Sequence, residues 1–192
     1  MAMRVITGSA RGRRLKELEG METRPTTDRV KEGLFSALQF EIEGRRVLDL
    51  FAGTGQLGIE ALSRGAERCV FVDRRADAVK LIRENLELTG LSGRARVVAG
   101  DSMEYLASLR EKFDLILLDP PYAAGLLEPA LEHIAQFDIL RPHGIIAAEA
   151  PAEKALPPLA EPYRRCRTYR YGRIGLTVYR RAGELENEGS AT

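Results

Sequence analysis

The chain of 192 residues has no tryptophan, two histidines and two cysteines. Cys69 and Cys166 lie too far apart to form a Cys-x-x-Cys redox motif, and two cysteines alone do not build a zinc cluster. We expect both to be reduced thiols with structural roles. We expect His133 and His143 to be surface or packing residues, since neither lies in a motif that carries chemistry.

Long apolar runs are also missing. The longest stretch without Asp, Glu, Lys or Arg covers residues 50–59, whereas a transmembrane helix needs about 20 apolar residues. The N-terminus leads into a strand-like run at residues 4–6 without an apolar signal region. We therefore expect a soluble, cytoplasmic monomer. One domain should cover residues 1–182, with a basic arm over about residues 1–25 and a disordered tail over residues 183–192.

Charge is balanced in total, at +1, but not along the chain. Residues 1–31 hold eight Lys or Arg against four acids, and residues 162–181 hold seven arginines and no acid. If the fold brings these basic segments together, they form a surface for a polyanion. The alternative for the C-terminal segment is an edge strand whose charges prevent aggregation.

From residue 46 onward, short apolar runs alternate with longer amphipathic stretches. Between the second and third runs, apolar residues recur at helical spacing from Val79 to Leu86, and Gly90 supplies a stop signal. This alternation predicts an α/β fold with a mostly parallel, doubly wound sheet. The predicted strands of this part cover residues 46–50, 69–72, 95–98, 113–118 and 144–149.

The two ends of the chain have other patterns. Residues 163–171 and 174–181 predict two strands joined at Gly172-Arg173, an antiparallel hairpin that should complete the sheet at one edge. Upstream, residues 26–28 can cap a helix in which Val30, Leu34 and Leu38 form an apolar stripe.

A glycine-rich segment follows the first predicted strand. Gly53, Gly55 and Gly58 form a Gly-x-Gly-x-x-Gly pattern that opens a helix, which allows a tight turn and a close approach of backbone to ligand. Asp73 ends the second strand, 20 residues after Gly53, where a carboxylate can accept bonds from both ribose hydroxyls. The pattern indicates an adenosine-containing cofactor, either a dinucleotide or S-adenosylmethionine.

The third and fourth strands end in further acids. Asp101 can accept a hydrogen bond from an adenine amine, or it can cap the helix that follows. The fourth strand runs into Asp119-Pro120-Pro121-Tyr122. The two prolines restrict the backbone, so the Asp119 carboxylate and the Pro120 carbonyl can accept both hydrogens of one amino group. Tyr122 offers a face on which a base can stack.

These motifs, in this order and spacing, resemble the Rossmann-like (class I) S-adenosylmethionine-dependent amino-methyltransferases. Within that class, three segments resemble the RsmD family: residues 4–15, residues 24–32 with Arg-Pro-Thr-Thr-Asp-Arg, and residues 58–66. The resemblance covers roughly residues 4–181. The amino-methyltransferase motifs are shared by enzymes that act on DNA, RNA and protein, whereas the N-terminal segments favour this one family.

The resemblance implies methylation of the exocyclic N2 of guanine 966 in 16S ribosomal RNA, with 16S RNA or a 30S assembly particle as partner and no metal. It implies catalytic roles for Asp119, Pro120, Pro121 and Tyr122. The expected cofactor residues are Asp49, Phe51, Gly53, Gly55, Gly58, Asp73, Arg74, Asp101 and Ser102. The expected RNA contacts, placed around the Tyr122 pocket, are Arg11, Arg13, Arg14, Arg24, Arg29 and Arg173.

Two other functions remain open at this level. A DNA-adenine or protein-glutamine methyltransferase would use the same Asp-Pro-Pro-Tyr motif, since it contacts only an amine. An NAD-dependent oxidoreductase would use the same glycines and Asp73, but it would leave residues 119–122 unexplained. A cytosine-C5 methyltransferase is disfavoured because no cysteine lies beside the motif to act as nucleophile.

Overall fold

A computed structural model describes residues 3–18 and 25–183, apart from the side chains of residues 25–28. Seven strands form one sheet in the order β3-β2-β1-β4-β5-β7-β6. The strands are β1 Arg46–Asp49, β2 Arg68–Asp73, β3 Ala95–Ala99, β4 Phe113–Leu118, β5 Leu140–Pro151, β6 Tyr163–Tyr171 and β7 Ile174–Arg181. The helices are α1 Pro25–Ala37, α2 Gln56–Ser63, α3 Ala76–Thr89, α4 Ser102–Ser108 and α5 Leu127–Gln136.

The sheet is parallel from β3 across to β5. β7 then pairs antiparallel with β5, and β6 pairs antiparallel with β7 at the edge. The mostly parallel class and the C-terminal edge hairpin are thus confirmed. The chain runs from β1 outward to β3 and then returns to β4 on the other side of β1. In such sheets, ligands bind at the carboxyl ends of the strands beside this reversal.

Helices cover both faces because successive strand residues point to opposite sides. Residues such as Val47, Phe71 and Leu117 pack into a core with α2, α3 and the N-terminal arm. Residues such as Leu48 and Ile116 pack on the opposite face with α4 and α5. Among the described residues, no helix is long and apolar enough to span a membrane.

Several sequence predictions need correction. β5 begins at Leu140, four residues before the predicted start, because the register shift between β4 and β5 leaves a bulge that contains Pro142 and a left-handed His143 (φ 62°). Because the bulge interrupts the regular alternation of side chains along the strand, the sequence pattern does not indicate the first residues of β5. Helix α1 begins at Pro25, so the predicted cap at residues 26–28 lies within its first turn. Cys69 is buried as expected, but Cys166 is exposed on the edge strand and has no packing role.

The N-terminal arm, residues 3–18, docks onto the sheet through buried polar side chains of α2 and α3. Glu60, fully buried, accepts hydrogen bonds from the Ile6 and Thr7 amides at 2.8 and 2.9 Å. Asn85 accepts from the Lys16 amide and donates to the Lys16 carbonyl. Since a buried backbone amide is costly without a partner, these side chains fix the course of the arm.

The two basic ends of the chain meet through α1. The Lys31 ammonium donates to the Arg4 carbonyl of the arm at 2.8 Å. On the other side, Gly33 leaves room for the ring of Tyr171 in β6, since a Cβ at Gly33 would lie 2.2 Å from that ring. The fold therefore joins the arm, α1 and the edge hairpin into one part of the molecule.

Gly58 lies where α2 crosses β2. An added Cβ would lie 2.3 Å from the Phe71 ring and 2.7 Å from the Cys69 sulfur, and both side chains are fully buried. The close approach of α2 to the sheet thus requires a glycine at this position.

We expect Gly58→Ala to destabilise the fold. Alanine is favoured over glycine in a helix by about 1 kcal/mol, but overpacking of a fixed core costs about 1–3 kcal/mol, so the clash outweighs the gain. Urea unfolding should show the loss, while Gly93→Ala, where a Cβ meets nothing within 4 Å, should be close to neutral. Equal stability of the two variants would contradict this packing role.

Candidate active site

A cavity of about 760 Å³ opens at the carboxyl ends of β1, β2 and β4, beside the reversal of strand order. The structure brings most of the predicted site residues into its wall. The wall contains Asp49, Phe51, Gly53, Asp73, Arg74, Asp101, Ser102, Asp119, Pro120, Pro121 and Tyr122. The predicted cofactor residues and the predicted catalytic motif therefore share one space.

The glycine loop contributes unevenly to this wall. Gly53 lines the cavity with φ 54°, and a Cβ there would meet nothing within 4 Å, so the backbone lies open to a ligand. Gly55 (φ 78°) is the N-cap of α2 and lies outside the wall, against Ile82. Gly58 is also outside the wall. Of the three glycines, one can contact a cofactor, and the other two shape the turn and the packing beneath it.

Two carboxylates hold the loop in place. Asp73 accepts the Gly53 amide at 2.8 Å through Oδ2 and the Arg75 amide at 2.9 Å through Oδ1. Asp49 is buried and accepts the Gly58 amide at 3.0 Å. Burial, reinforced by the nearby charge of Asp73, raises the pKa of Asp49 to about 7, although the Gly58 bond opposes the shift.

Asp101 and Ser102 begin α4 at the cavity edge. Asp101 Oδ1 accepts the amides of Met103 and Glu104 at 2.8 and 3.1 Å, so the carboxylate is the helix N-cap. Among the described residues Oδ2 has no partner, which leaves an acceptor for a ligand. The Ser102 hydroxyl donates to the Leu50 carbonyl at 2.6 Å and ties α4 to the end of β1.

The Asp-Pro-Pro-Tyr segment leaves β4 and turns into a short 3-10 helix, Tyr122–Ala124. Tyr122 is 43% exposed, and its hydroxyl donates to Glu149 Oε1 at 3.0 Å. Burial raises the pKa of Asp119 well above its usual range, and the charges of Glu149 and Asp49 act in the same direction. Burial also raises the pKa of Glu149, partly offset by the Tyr122 hydrogen bond. The wall is therefore crowded with carboxyl groups that a cationic ligand would favour in their ionised form.

Sequence reasoning missed several residues of the wall. Glu149 ends the predicted strand 144–149 as Asp73 ends β2, so the same rule about strand ends could have identified it, although β5 continues to Pro151 in the structure. Met3, Glu17 and Leu18 reach the cavity from the arm. No local pattern identifies these three, because their position depends on how the arm docks.

The predicted RNA contacts surround this site less closely than expected. Arg24 lies outside the described residues, and none of the other five arginines is in the cavity wall. Arg11 lies in the turn of the arm, which binds Ser63 at the far end of α2, whereas α2 begins at the cavity with Gln56. Arg173 is exposed next to Ile174, a wall residue. Arg13, Arg14 and Arg29 are exposed as well.

Comparison with known proteins gives consistent relatives. A Bacillus subtilis (strain 168) protein, YlbH, provisionally named as an rRNA methyltransferase, is 44% identical over 94% of this chain and 100% of its own. Ribosomal RNA small subunit methyltransferase D of Escherichia coli (strain K12) is 34% identical over 97% of this chain and 93% of its own.

Solved structures and family models point the same way. The structure of Escherichia coli yhhF, provisionally named a methyltransferase, superposes with a TM-score of 0.85 at 31% identity, covering 95% of this chain and 99% of that one. The model of the family described as Conserved hypothetical protein 95 matches residues 3–180. The chain therefore belongs to the Conserved hypothetical protein 95 family, the RsmD family that its sequence resembles.

Proposed function

We propose that this protein transfers a methyl group from S-adenosylmethionine to the exocyclic N2 of a guanine in 16S ribosomal RNA, at guanine 966, during small-subunit maturation. The observation that carries the proposal is the convergence of the glycine loop, four strand-end carboxyl groups and the Asp-Pro-Pro-Tyr segment on one cavity. The relatives named as rRNA methyltransferases support the RNA class.

The cavity wall suits S-adenosylmethionine. Asp73 can accept bonds from ribose hydroxyls in addition to its two backbone amides, since each carboxylate oxygen has two lone pairs. Asp101 Oδ2 can accept an adenine amine, and Gly53 leaves room for the ligand to approach the backbone. When bound, the cofactor supplies a methyl group on a positively charged sulfonium, and the acidic wall complements that charge.

The Asp-Pro-Pro-Tyr segment would position the acceptor. The Asp119 carboxylate and the Pro120 carbonyl accept the two hydrogens of an amino group, which orients the nitrogen lone pair for in-line attack. The exposed ring of Tyr122 stacks on the base, and its hydroxyl is held by Glu149. Positioning and desolvation are the main requirements here, because the methyl group is already activated.

The RNA would lie across the basic part of the molecule. The arm, α1 and the edge hairpin are joined, and their exposed arginines, Arg11, Arg13, Arg14, Arg29 and Arg173, form a surface for phosphates. Since Arg11 lies at the far end of α2, we propose that it contacts RNA outside the target nucleotide.

Product mapping tests the proposed function. The protein is incubated with labelled S-adenosylmethionine and, separately, unmodified 16S RNA, 30S subunits, DNA and a protein extract, and the products are mapped by mass. We expect N2-methylguanine at guanine 966 in RNA or in the particle. Methyladenine in DNA or methylglutamine in protein would contradict the substrate but retain the methyl transfer. The absence of any methylated product would contradict both.

We expect Asp119→Asn to lower kcat by about 100-fold or more, since the loss of one positioned hydrogen-bonding group in an active site typically costs about 10²–10³-fold. The amide keeps the shape of the side chain but loses one acceptor for the amine. Calorimetry should show nearly unchanged S-adenosylmethionine affinity. Asp77→Asn, the same exchange at an exposed position outside the cavity wall, is the control and should retain full activity. Activity of Asp119→Asn within a few fold of the parent would contradict the role of Asp119.

Cofactor affinity should depend on pH. The pKa of Asp49 is about 7, so this group, which lines the cavity, loses its proton when a positive charge binds there. Affinity for S-adenosylmethionine should therefore increase from about pH 6 to about pH 8. S-adenosylhomocysteine lacks the sulfonium charge and should show a smaller increase. Parallel pH profiles of the two ligands by calorimetry would contradict the electrostatic role of the wall.

A further inference from the structure

Glu149 occupies a particular position relative to the proposed catalytic segment. β4 and β5 pair in parallel with Leu118 opposite Ala148, so Asp119 and Glu149 follow side by side where β4 ends, and β5 continues to Pro151. Adjacent strands lie about 4.8 Å apart. Both residues line the cavity, and the Tyr122 hydroxyl donates to Glu149 Oε1 at 3.0 Å. Glu149 thus lies beside Asp119, which would accept the amine, and contacts Tyr122, whose ring would stack on the base.

The proposed function leaves one hydrogen-bond donor of guanine, the N1–H group, without a named acceptor. Asp119 and Pro120 accept both hydrogens of the guanine 2-amino group, and the adjacent N1–H then needs an acceptor in the same wall. The side chain next to Asp119 in the sheet is Glu149, whose Oε2 has no partner among the described residues. Asp49, the other carboxyl group near Asp119, lies at the end of β1 on the opposite side of β4 from Glu149 and accepts the Gly58 amide beneath the loop.

We propose that Glu149 is a specificity-determining residue that accepts a hydrogen bond from guanine N1–H and thereby restricts the acceptor to guanine. The inference rests on the proposed function. Adenine and 2-aminopurine carry a lone pair at N1, which would face the carboxylate with no hydrogen between them. The Asp-Pro-Pro-Tyr segment contacts only an amine, so it does not make this distinction.

The role requires the ionised form of Glu149, and two contacts favour it. Burial raises the pKa of Glu149, but the Tyr122 hydroxyl donates to the carboxylate and partly offsets that shift. A positively charged cofactor in the same cavity would act in the same direction. Tyr122 also fixes Oε1, so Oε2 is the oxygen that remains for the base.

The experiment compares two acceptors that both carry a 2-amino group. The methylated RNA or particle from product mapping is rebuilt with guanine or 2-aminopurine at the target position, and kcat/KM is measured for each. We expect the wild-type protein to favour guanine by about 10- to 100-fold, as for a good base-specific contact. Equal rates would overturn the proposal while leaving the methylation of guanine intact.

Glu149→Gln provides the decisive variant. The glutamine amide can donate to N1 of 2-aminopurine while its oxygen still accepts from Tyr122, so the preference for guanine should fall by about tenfold or more. Because 2-aminopurine also lacks the guanine O6, only a change of the preference in the variant isolates the N1 contact. Glu153→Gln, the same exchange at an exposed position just beyond β5, is the control and should keep the wild-type preference.

If Glu149→Gln methylates neither the guanine RNA nor the 2-aminopurine RNA, the affinities of the variant for the two RNAs are measured with S-adenosylhomocysteine present. The ratio of these affinities then replaces the ratio of kcat/KM values. A ratio that equals the wild-type ratio in either measurement would overturn the proposal, even if the variant is slow. Failure of the proposed function is distinguishable, since the wild-type protein would then not methylate the guanine-containing RNA at all.

Discussion

The site depends on two hydrogen bonds between backbone amides and carboxylates at the ends of neighbouring strands. Asp73 accepts the Gly53 amide and Asp49 accepts the Gly58 amide, and together they bind the loop after β1 and the first turn of α2 to the sheet. A glycine loop that approaches a ligand closely has few side chains to hold its conformation, so its backbone amides need hydrogen-bond acceptors from the sheet. The two carboxylates meet that need, but they also place negative charge at the base of the cavity.

That charge is the main energetic feature of the site. Burial raises the pKa values of Asp49, Asp119 and Glu149, and the charges of neighbouring carboxylates add to the shift at Asp49 and Asp119. Removing the acids would relieve this repulsion, so their presence indicates that the cavity is arranged for a ligand rather than for stability. A cationic cofactor and a base with donors on its edge are the two partners that such a wall complements. On the proposed function, the same carboxyl groups would serve both binding and selection.

The sequence allowed prediction of the strands and of the acids that end them, because buried parallel strands are short apolar runs and their carboxyl ends meet at one edge. β4, β6 and β7 have the predicted bounds. The predicted start of β5 was wrong because a bulge interrupts the alternation of side chains along this strand. Gly58 matched a cofactor motif, yet the space around it shows a packing role, which spacing alone does not reveal. The contribution of the arm to the cavity depends on Glu60 and Asn85, whose tertiary bonds leave no local pattern.

The arm and the edge hairpin, which carry basic residues from the two ends of the chain, both reach the cavity wall. Met3 and Leu18 of the arm line the wall on one side, and Ile174 of the hairpin lines it on another. Lys31 and the Gly33–Tyr171 contact connect these parts through α1. A polyanion held by the exposed arginines would therefore rest on the same elements that line the cavity.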